Sequence, residues 1–255
     1  MNSPTALLQR LDAIGRALAQ TGDALALIGL GSVGLELDRL DEFSDLDFFV
    51  VVADRAAPRF LADHAWLAAA APIAFAHRNL GAGLHVLFED GIYAEMAVFD
   101  RRELVDAAYT PGRIVWRRDG VPDSIATPAK PPRGPAKPDA DYLLREILCN
   151  LYIGLSRFHR GERLSSLREI QLYAMDRLLE LAPYLEPDTP ALRDPFTTVR
   201  RFEQRFPQLA GHLADFQQGY ARTPQSAAAI LDFLAERFPL NEAMVAAIRD
   251  LLRED

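Results

Sequence analysis

The sequence predicts an α/β domain, a mixed sheet with flanking helices, over residues 1–120 and an all-α domain over residues 139–255. Three observations carry that division. Two apolar runs of strand length, Leu25–Leu30 and Phe48–Val52, lie either side of a glycine-containing turn near the N-terminus. Pro122, Pro128, Pro131, Pro132, Pro135 and Pro138 then punctuate a stretch with few large apolar residues, which reads as an extended connector over 121–138. Beyond it the strand signals vanish and apolar residues recur at helical spacing.

The elements follow in order. Ser3-Pro4 is a cap followed by proline at the first helical position, and Leu7, Leu11, Ile14 and Leu18 continue a helix until Gly22. The two strands come next, then a helix from about Pro58 to Ala71 carrying Phe60, Leu61, Trp66 and Leu67. Glu89-Asp90-Gly91 between Leu84–Phe88 and Ile92–Phe99 is a hairpin signal. In the second arm Tyr93, Glu95, Ala97 and Phe99 share one face, and Glu95 is the only charge there. Ile114–Trp116 is short enough for an edge strand. After the connector, Leu144, Leu148, Leu151, Leu155 and Phe158 mark a helix over Asp141–His159 that Gly161 ends. Leu167, Ile170, Ala174 and Leu178 mark the next, with further helices expected near Pro195–Arg205, Pro207–Tyr220, Ser226–Arg237 and Asn241–Arg253.

Composition narrows the function classes. At 255 residues the chain can build two ordinary cores, and 49% hydrophobic with 25% charged residues is globular. A formal net charge of −8 argues against a broad nucleic-acid-binding surface. The single cysteine, Cys149, excludes an intrachain disulfide, and its apolar helical setting predicts a buried small hydrophobe. The N-terminus lacks a basic-then-apolar leader, and no run approaches ~18 uncharged apolar residues. A cytoplasmic location without a membrane partner is the expectation. Nothing in the sequence excludes a homo-oligomer.

Asp45 and Asp47 are the residues that an apolar sheet has no use for. Two apart in a strand, they leave the same face with Cα atoms ~6.6 Å apart, and carboxylates so placed can share a divalent cation. A second such pair, Asp139-Ala140-Asp141, opens a helix, where capping and the helix dipole explain it. The turn before Asp45 supports two readings. Gly29-Leu30-Gly31-Ser32-Val33-Gly34 matches the dinucleotide fingerprint G-x-G-x-x-G, which requires a crossover helix and then an acid at the far end of the next strand. Only Leu35–Ser44 intervene here, and the acids stand at the start of the strand, so that context fails. The other reading takes Gly31-Ser32, twelve intervening residues, Asp45-Leu46-Asp47 and Glu95 together.

That combination resembles the polymerase-β-like nucleotidyltransferases, whose signature is a Gly-Ser turn, a spacer, Asp-x-Asp opening a strand and a third carboxylate on a later strand. Within them it is most similar to the antibiotic nucleotidyltransferases of lincosamide or aminoglycoside type. The resemblance covers about residues 24–100, with a looser likeness at Arg160-Gly161-Glu162. It implies catalytic and metal-binding roles for Asp45, Asp47 and Glu95, nucleotide contacts at Gly31 and Ser32, and two Mg²⁺ ions with ATP or another nucleoside triphosphate as donor. The acceptor it implies is a hydroxylated, cationic small molecule held between the two domains.

Each residue type suits that chemistry. Glycine lets backbone approach a triphosphate, and serine offers a hydroxyl and an amide. Mg²⁺ takes oxygen ligands at ~2.0–2.1 Å, and paired ions ~3.5–4 Å apart stabilise attacking and leaving oxygens together. Glu95 either completes a metal shell or takes the proton of the acceptor hydroxyl, a role in which a carboxylate needs help from metal or surroundings. Arg160 and Glu162 either reach the cleft, towards triphosphate and cationic acceptor respectively, or decorate a solvated helix end. The five histidines, His64, His77, His85, His159 and His212, show no metal-ligand spacing. Protein nucleotidylation, as in minimal nucleotidyltransferase antitoxins, and a catalytically silent nucleotide-binding module are the alternatives. The first usually lacks a second domain, and the second is disfavoured by the presence of all three carboxylates.

Overall fold

A computed structural model describes residues 2–79, 81–132 and 139–253. Its backbone divides into two compact units, Met1–Pro132 and Arg133–Asp255. The first is a mixed sheet with flanking helices and the second is helical.

In the first unit, α1 (Pro4–Ala19) starts where Ser3 Oγ accepts the Ala6 amide, 3.2 Å away. It buries Leu7, Leu11, Ile14 and Leu18. The six strands are β1 (Ala24–Gly29), β2 (Leu46–Val52), β3 (Ile73–Arg78), β4 (Gly83–Phe88), β5 (Tyr93–Asp100) and β6 (Arg113–Arg117). They lie in the order β3-β4-β5-β2-β1-β6. Only β2 and β5 run parallel; the other neighbours are antiparallel. One face of the sheet buries Leu46, Phe48, Val50, Met96 and Val98 beneath α1 and the pair α2 (Ala57–Ala62) and α3 (Ala65–Ala68). The other face has a smaller cluster, with Ile28, Phe49, Val51 and Phe99 under Leu104, Tyr109 and Ala126. Leu104 comes from α4 (Arg101–Asp106), whose start is closed by a reciprocal bond between Asp100 and Glu103.

Several expectations are corrected. The helix expected over 58–71 is two short pieces, because Asp63 leaves helical geometry and its carboxylate caps Ala65 instead. β3 was not anticipated from the sequence. The start of the proline-rich stretch packs on the sheet, within the compact unit that ends at Pro132. Val121 and Ala126 are buried there, and Tyr109 Oη donates to the Ile125 carbonyl at 3.2 Å. Residues 133–138 of the expected connector lie outside the described residues.

In the second unit, α5 (Ala140–His159) begins at Asp139, whose carboxylate accepts the Tyr142 amide, as its capping reading required. Its buried stripe is Leu143, Leu144, Ile147, Leu148, Leu151 and Leu155. Cys149 is exposed, not buried: it follows Leu148 by one residue, a turn of ~100° that carries it off the stripe. A single helical run follows as α6 (Arg163–Arg168), a π-helical turn over Glu169–Ala174, and α7 (Met175–Leu181). The extra residue in that turn brings Gln171 inward, where its amide donates to the Gly219 carbonyl and Thr223 Oγ1. The helix expected over 195–205 survives only as α8 (Phe202–Arg205), and that over 207–220 as α9 (Pro207–Ala210) and α10 (Leu213–Phe216). Then come α11 (Thr223–Ala235) and α12 (Glu242–Arg253). Among the described residues no helix is long and apolar enough to cross a membrane.

The loop before α8 is tied by charge rather than by helix. Buried Arg205 grips half-buried Asp188 through two hydrogen bonds of 3.0 and 3.1 Å, and Arg193 donates to the same carboxylate. The Arg205 hydrogen bonds are the main reason that the Asp188 carboxyl lies below its ordinary 3.8. A depressed folded value stabilises above the unfolded pKa, so this contribution is present above pH ~4 and is lost as pH falls through the folded value. Arg205→Met is expected to cost about 1.5–3 kcal/mol at pH 7, by removing one of the two guanidinium partners of the half-buried Asp188 carboxylate. The deficit should shrink below pH ~4 in urea melts, where protonation removes that penalty. A pH-independent deficit would show that packing, not the ion pair, holds the loop.

Candidate active site

Asp45 precedes β2 and Asp47 lies near its start, on the face that Phe49 and Val51 share but at the other end from the part they cover with Leu104; both carboxylates are half-buried. β2 pairs in parallel with β5 so that Asp47 stands directly opposite Glu95. The alternation of the hairpin arm, with Ala94, Met96 and Val98 buried, turns Glu95 to the same open face. One carboxylate oxygen from each of Asp45, Asp47 and Glu95 lies within 4.8 Å of the others. Three anions that close repel one another unless a cation or a proton compensates. An all-oxygen donor set of this size fits a hard divalent cation such as Mg²⁺.

The Gly-Ser turn is the neighbour of this cluster. β1 pairs antiparallel with β2, which brings the end of β1 beside Asp47, and the Leu30 amide donates to the Asp47 carbonyl at 2.8 Å. The chain then turns tightly through Gly31–Val33. Gly31 has φ +50°, in the left-handed region, and its missing Cβ would sit 3.7 Å from Asp47 Oδ2. The amides of Gly31 and Ser32 open the turn and have no carbonyl within it to bond. Ser32 is half-buried.

Two further residues stand beside these groups through strand register rather than closeness in sequence. Arg113 pairs opposite Gly29 on β6, and its guanidinium donates twice to the Val33 carbonyl, at 3.2 and 2.9 Å. It therefore braces the Gly-Ser turn with a positive charge. His85 stands opposite Glu95 on β4, with Nδ1 3.4 Å from Glu95 Oε1 and 2.9 Å from Tyr93 Oη. Lost hydration, then the charge and hydrogen bond of Glu95 and the charge of Asp45, hold the Tyr93 phenol protonated above its ordinary 10.0. The tight turn at 89–91 carries the register that pairs His85 with Glu95, so hairpin geometry was the signal available.

Arg160 and Glu162 belong to the second unit. Both are exposed at the turn between α5 and α6, where Gly161 takes φ +79°. His64, His77, His159 and His212 form no cluster of potential ligands with other side chains among the described residues.

No protein-family model and no curated protein sequence matches this chain. Among solved structures, the chain is similar to an aminoglycoside 6-adenyltransferase from Bacillus subtilis, over 100% of this chain and 93% of that one, with 13% identity and a TM-score of 0.36. A likeness that loose leaves the chemistry of the site to be argued from its own geometry.

Proposed function

We propose that this protein is a Mg²⁺-dependent nucleotidyltransferase that moves a nucleoside monophosphate, from ATP or another nucleoside triphosphate, to a hydroxyl of a small molecule and releases pyrophosphate. The observation that carries the reading is the meeting of three carboxylates, from two parallel strands, within 4.8 Å of one another beside a Gly-Ser turn. All three are charges in or beside apolar strands, and they converge on one place.

In this reading Asp45 and Asp47 hold the metal, and Glu95 stands across the ladder as third ligand or as base. When bound, Mg²⁺ offsets the negative charge of the triphosphate and of the departing pyrophosphate. The Gly31 and Ser32 amides, with the Ser32 hydroxyl, bind the triphosphate, and the Arg113 charge behind the turn favours that anion. The acceptor oxygen attacks the α-phosphorus, its proton leaves to a base, and the bond to the pyrophosphate oxygen breaks.

A hydroxylated cation is the acceptor that the electrostatics favour. Three carboxylates attract positive charge, although bound metal offsets part of that field. Only charges within about one Debye length, ~8 Å at physiological salt, contribute. The test is incubation with Mg²⁺, each of the four nucleoside triphosphates and a panel of lincosamides, aminoglycosides and neutral polyols, with pyrophosphate release as readout. Cationic acceptors are expected to react and to show KM rising with salt. Pyrophosphate release with none of these compounds, or modification of a protein instead, would refute the small-molecule assignment.

A further inference from the structure

Glu95 is the most exposed of the three carboxylates, its side chain 48% accessible, so packing alone does not hold it in place. A set of polar side chains on β4 and β5 does. The Asn79 amide Nδ2 lies 3.2 Å from His85 Nε2. It reaches that far because residue 83 is glycine: a Cβ there would overlap the Asn79 amide. An amide N–H donating to Nε2 makes that nitrogen the bare one, so the hydrogen of the neutral ring sits on Nδ1. His85 Nδ1 in turn lies 2.9 Å from Tyr93 Oη and donates to it. The Tyr93 hydroxyl then has its own hydrogen free, and Tyr93 stands two residues before Glu95 on the same face of β5, with His85 Nδ1 3.4 Å from Glu95 Oε1. Each donation sets the direction of the next, and the pair His85 and Tyr93 brings the end of the chain beside the carboxylate.

We propose that Asn79, His85 and Tyr93 are positioning residues that orient Glu95 as the third metal ligand beside Asp45 and Asp47, instead of leaving it as a free base. The inference rests on the metal-binding reading of those carboxylates. One Glu95 oxygen takes the donors of the chain while the carboxylate faces Asp47 across the parallel ladder. Partners that fix a ligand in this way typically govern metal affinity by about 10–100-fold.

The test is Mn²⁺ binding to the nucleotide-free protein, followed by electron paramagnetic resonance, with circular dichroism as a check on folding. Tyr93→Phe removes a single oxygen and is expected to weaken Mn²⁺ about tenfold or more. His85→Leu should do the same, whereas His85→Asn, whose amide nitrogen falls near the place of Nδ1, should restore most of the affinity. The double variant Tyr93→Phe/His85→Leu should be no worse than either alone, because both cut one chain. Gly83→Ala, which displaces Asn79, should weaken binding in the same direction. Phe75→Leu, on the same open face but outside the chain, should change nothing. Wild-type Mn²⁺ affinity in Tyr93→Phe, with Asp47→Asn abolishing binding, would overturn this inference and leave the metal reading standing. Loss of turnover in Tyr93→Phe at unchanged Mn²⁺ affinity would also overturn it, in favour of Glu95 as base. Failure of the wild-type protein to bind Mn²⁺ would sink the metal reading itself, and this inference with it.

Discussion

Asp47→Asn is expected to lower nucleotidyl transfer by about 10³-fold or more, on the order of 4 kcal/mol of transition-state stabilisation, with the fold retained. Asparagine has the same shape as aspartate, so the change removes charge and leaves packing alone. Asp47 joins the cluster to the turn: Glu95 stands opposite it, and a Cβ on Gly31 would lie 3.7 Å from its Oδ2. Asp45→Asn should fall by a similar factor, because one oxygen of each carboxylate belongs to the same cluster. Raising Mg²⁺ should recover part of the loss if the variant still binds metal weakly. The measurement is pyrophosphate release under saturating nucleotide, paired with thermal melting. Turnover at the wild-type rate in either variant would remove that residue from the site.

The carboxylate cluster was more legible in the sequence than some of the strands and helices around it, and the reason is physical. Asp45, Asp47 and Glu95 are charges in apolar strands, so they stand out wherever the strands can be seen. The strands that could be seen are those buried on at least one face. β2 and β5 alternate or run apolar because helices cover one side of the sheet. β3 is an edge strand that is exposed from Ala74 to Arg78, so no burial pattern marks it in the sequence. The failure over 195–205 has a different origin. Arg193, Arg200 and Arg201 reach Asp188 or Asp194 there, and the segment is held by side-chain pairs that helical periodicity does not record. Nothing in the linear sequence singles out Arg113, or His85 among the five histidines, because their places come only from strand register, through β6 against β1 and β4 against β5.

The second large effect concerns the glycines that frame the turn. A Cβ on Gly29 would stand 2.5 Å from the Val33 carbonyl oxygen, and one on Gly34 would stand 2.7 Å from the Gly29 carbonyl oxygen and 2.8 Å from Leu30 backbone. These are backbone atoms, so no side-chain rotation relieves the overlap, and the turn itself must move. Gly29→Ala and Gly34→Ala are each expected to cost about 1–3 kcal/mol of stability. Each should also weaken binding of the preferred nucleoside triphosphate about 100-fold, or ~2.7 kcal/mol. Gly31→Ala meets no such overlap, since its nearest neighbour is Asp47 Oδ2 at 3.7 Å. Its stability penalty is the left-handed φ of +50°, roughly 1–2 kcal/mol for a residue with a Cβ, and it too should weaken nucleotide binding, because the added Cβ would lie where the turn is proposed to meet the triphosphate. Mn²⁺ affinity should fall less than nucleotide affinity in all of them, because the β2–β5 ladder sets Asp47 opposite Glu95 independently of the turn. Calorimetric titration with the nucleotide, alongside Mn²⁺ binding, separates the two functions. Nucleotide affinity unchanged in Gly34→Ala would place the triphosphate away from the Gly-Ser turn, whatever the carboxylates do.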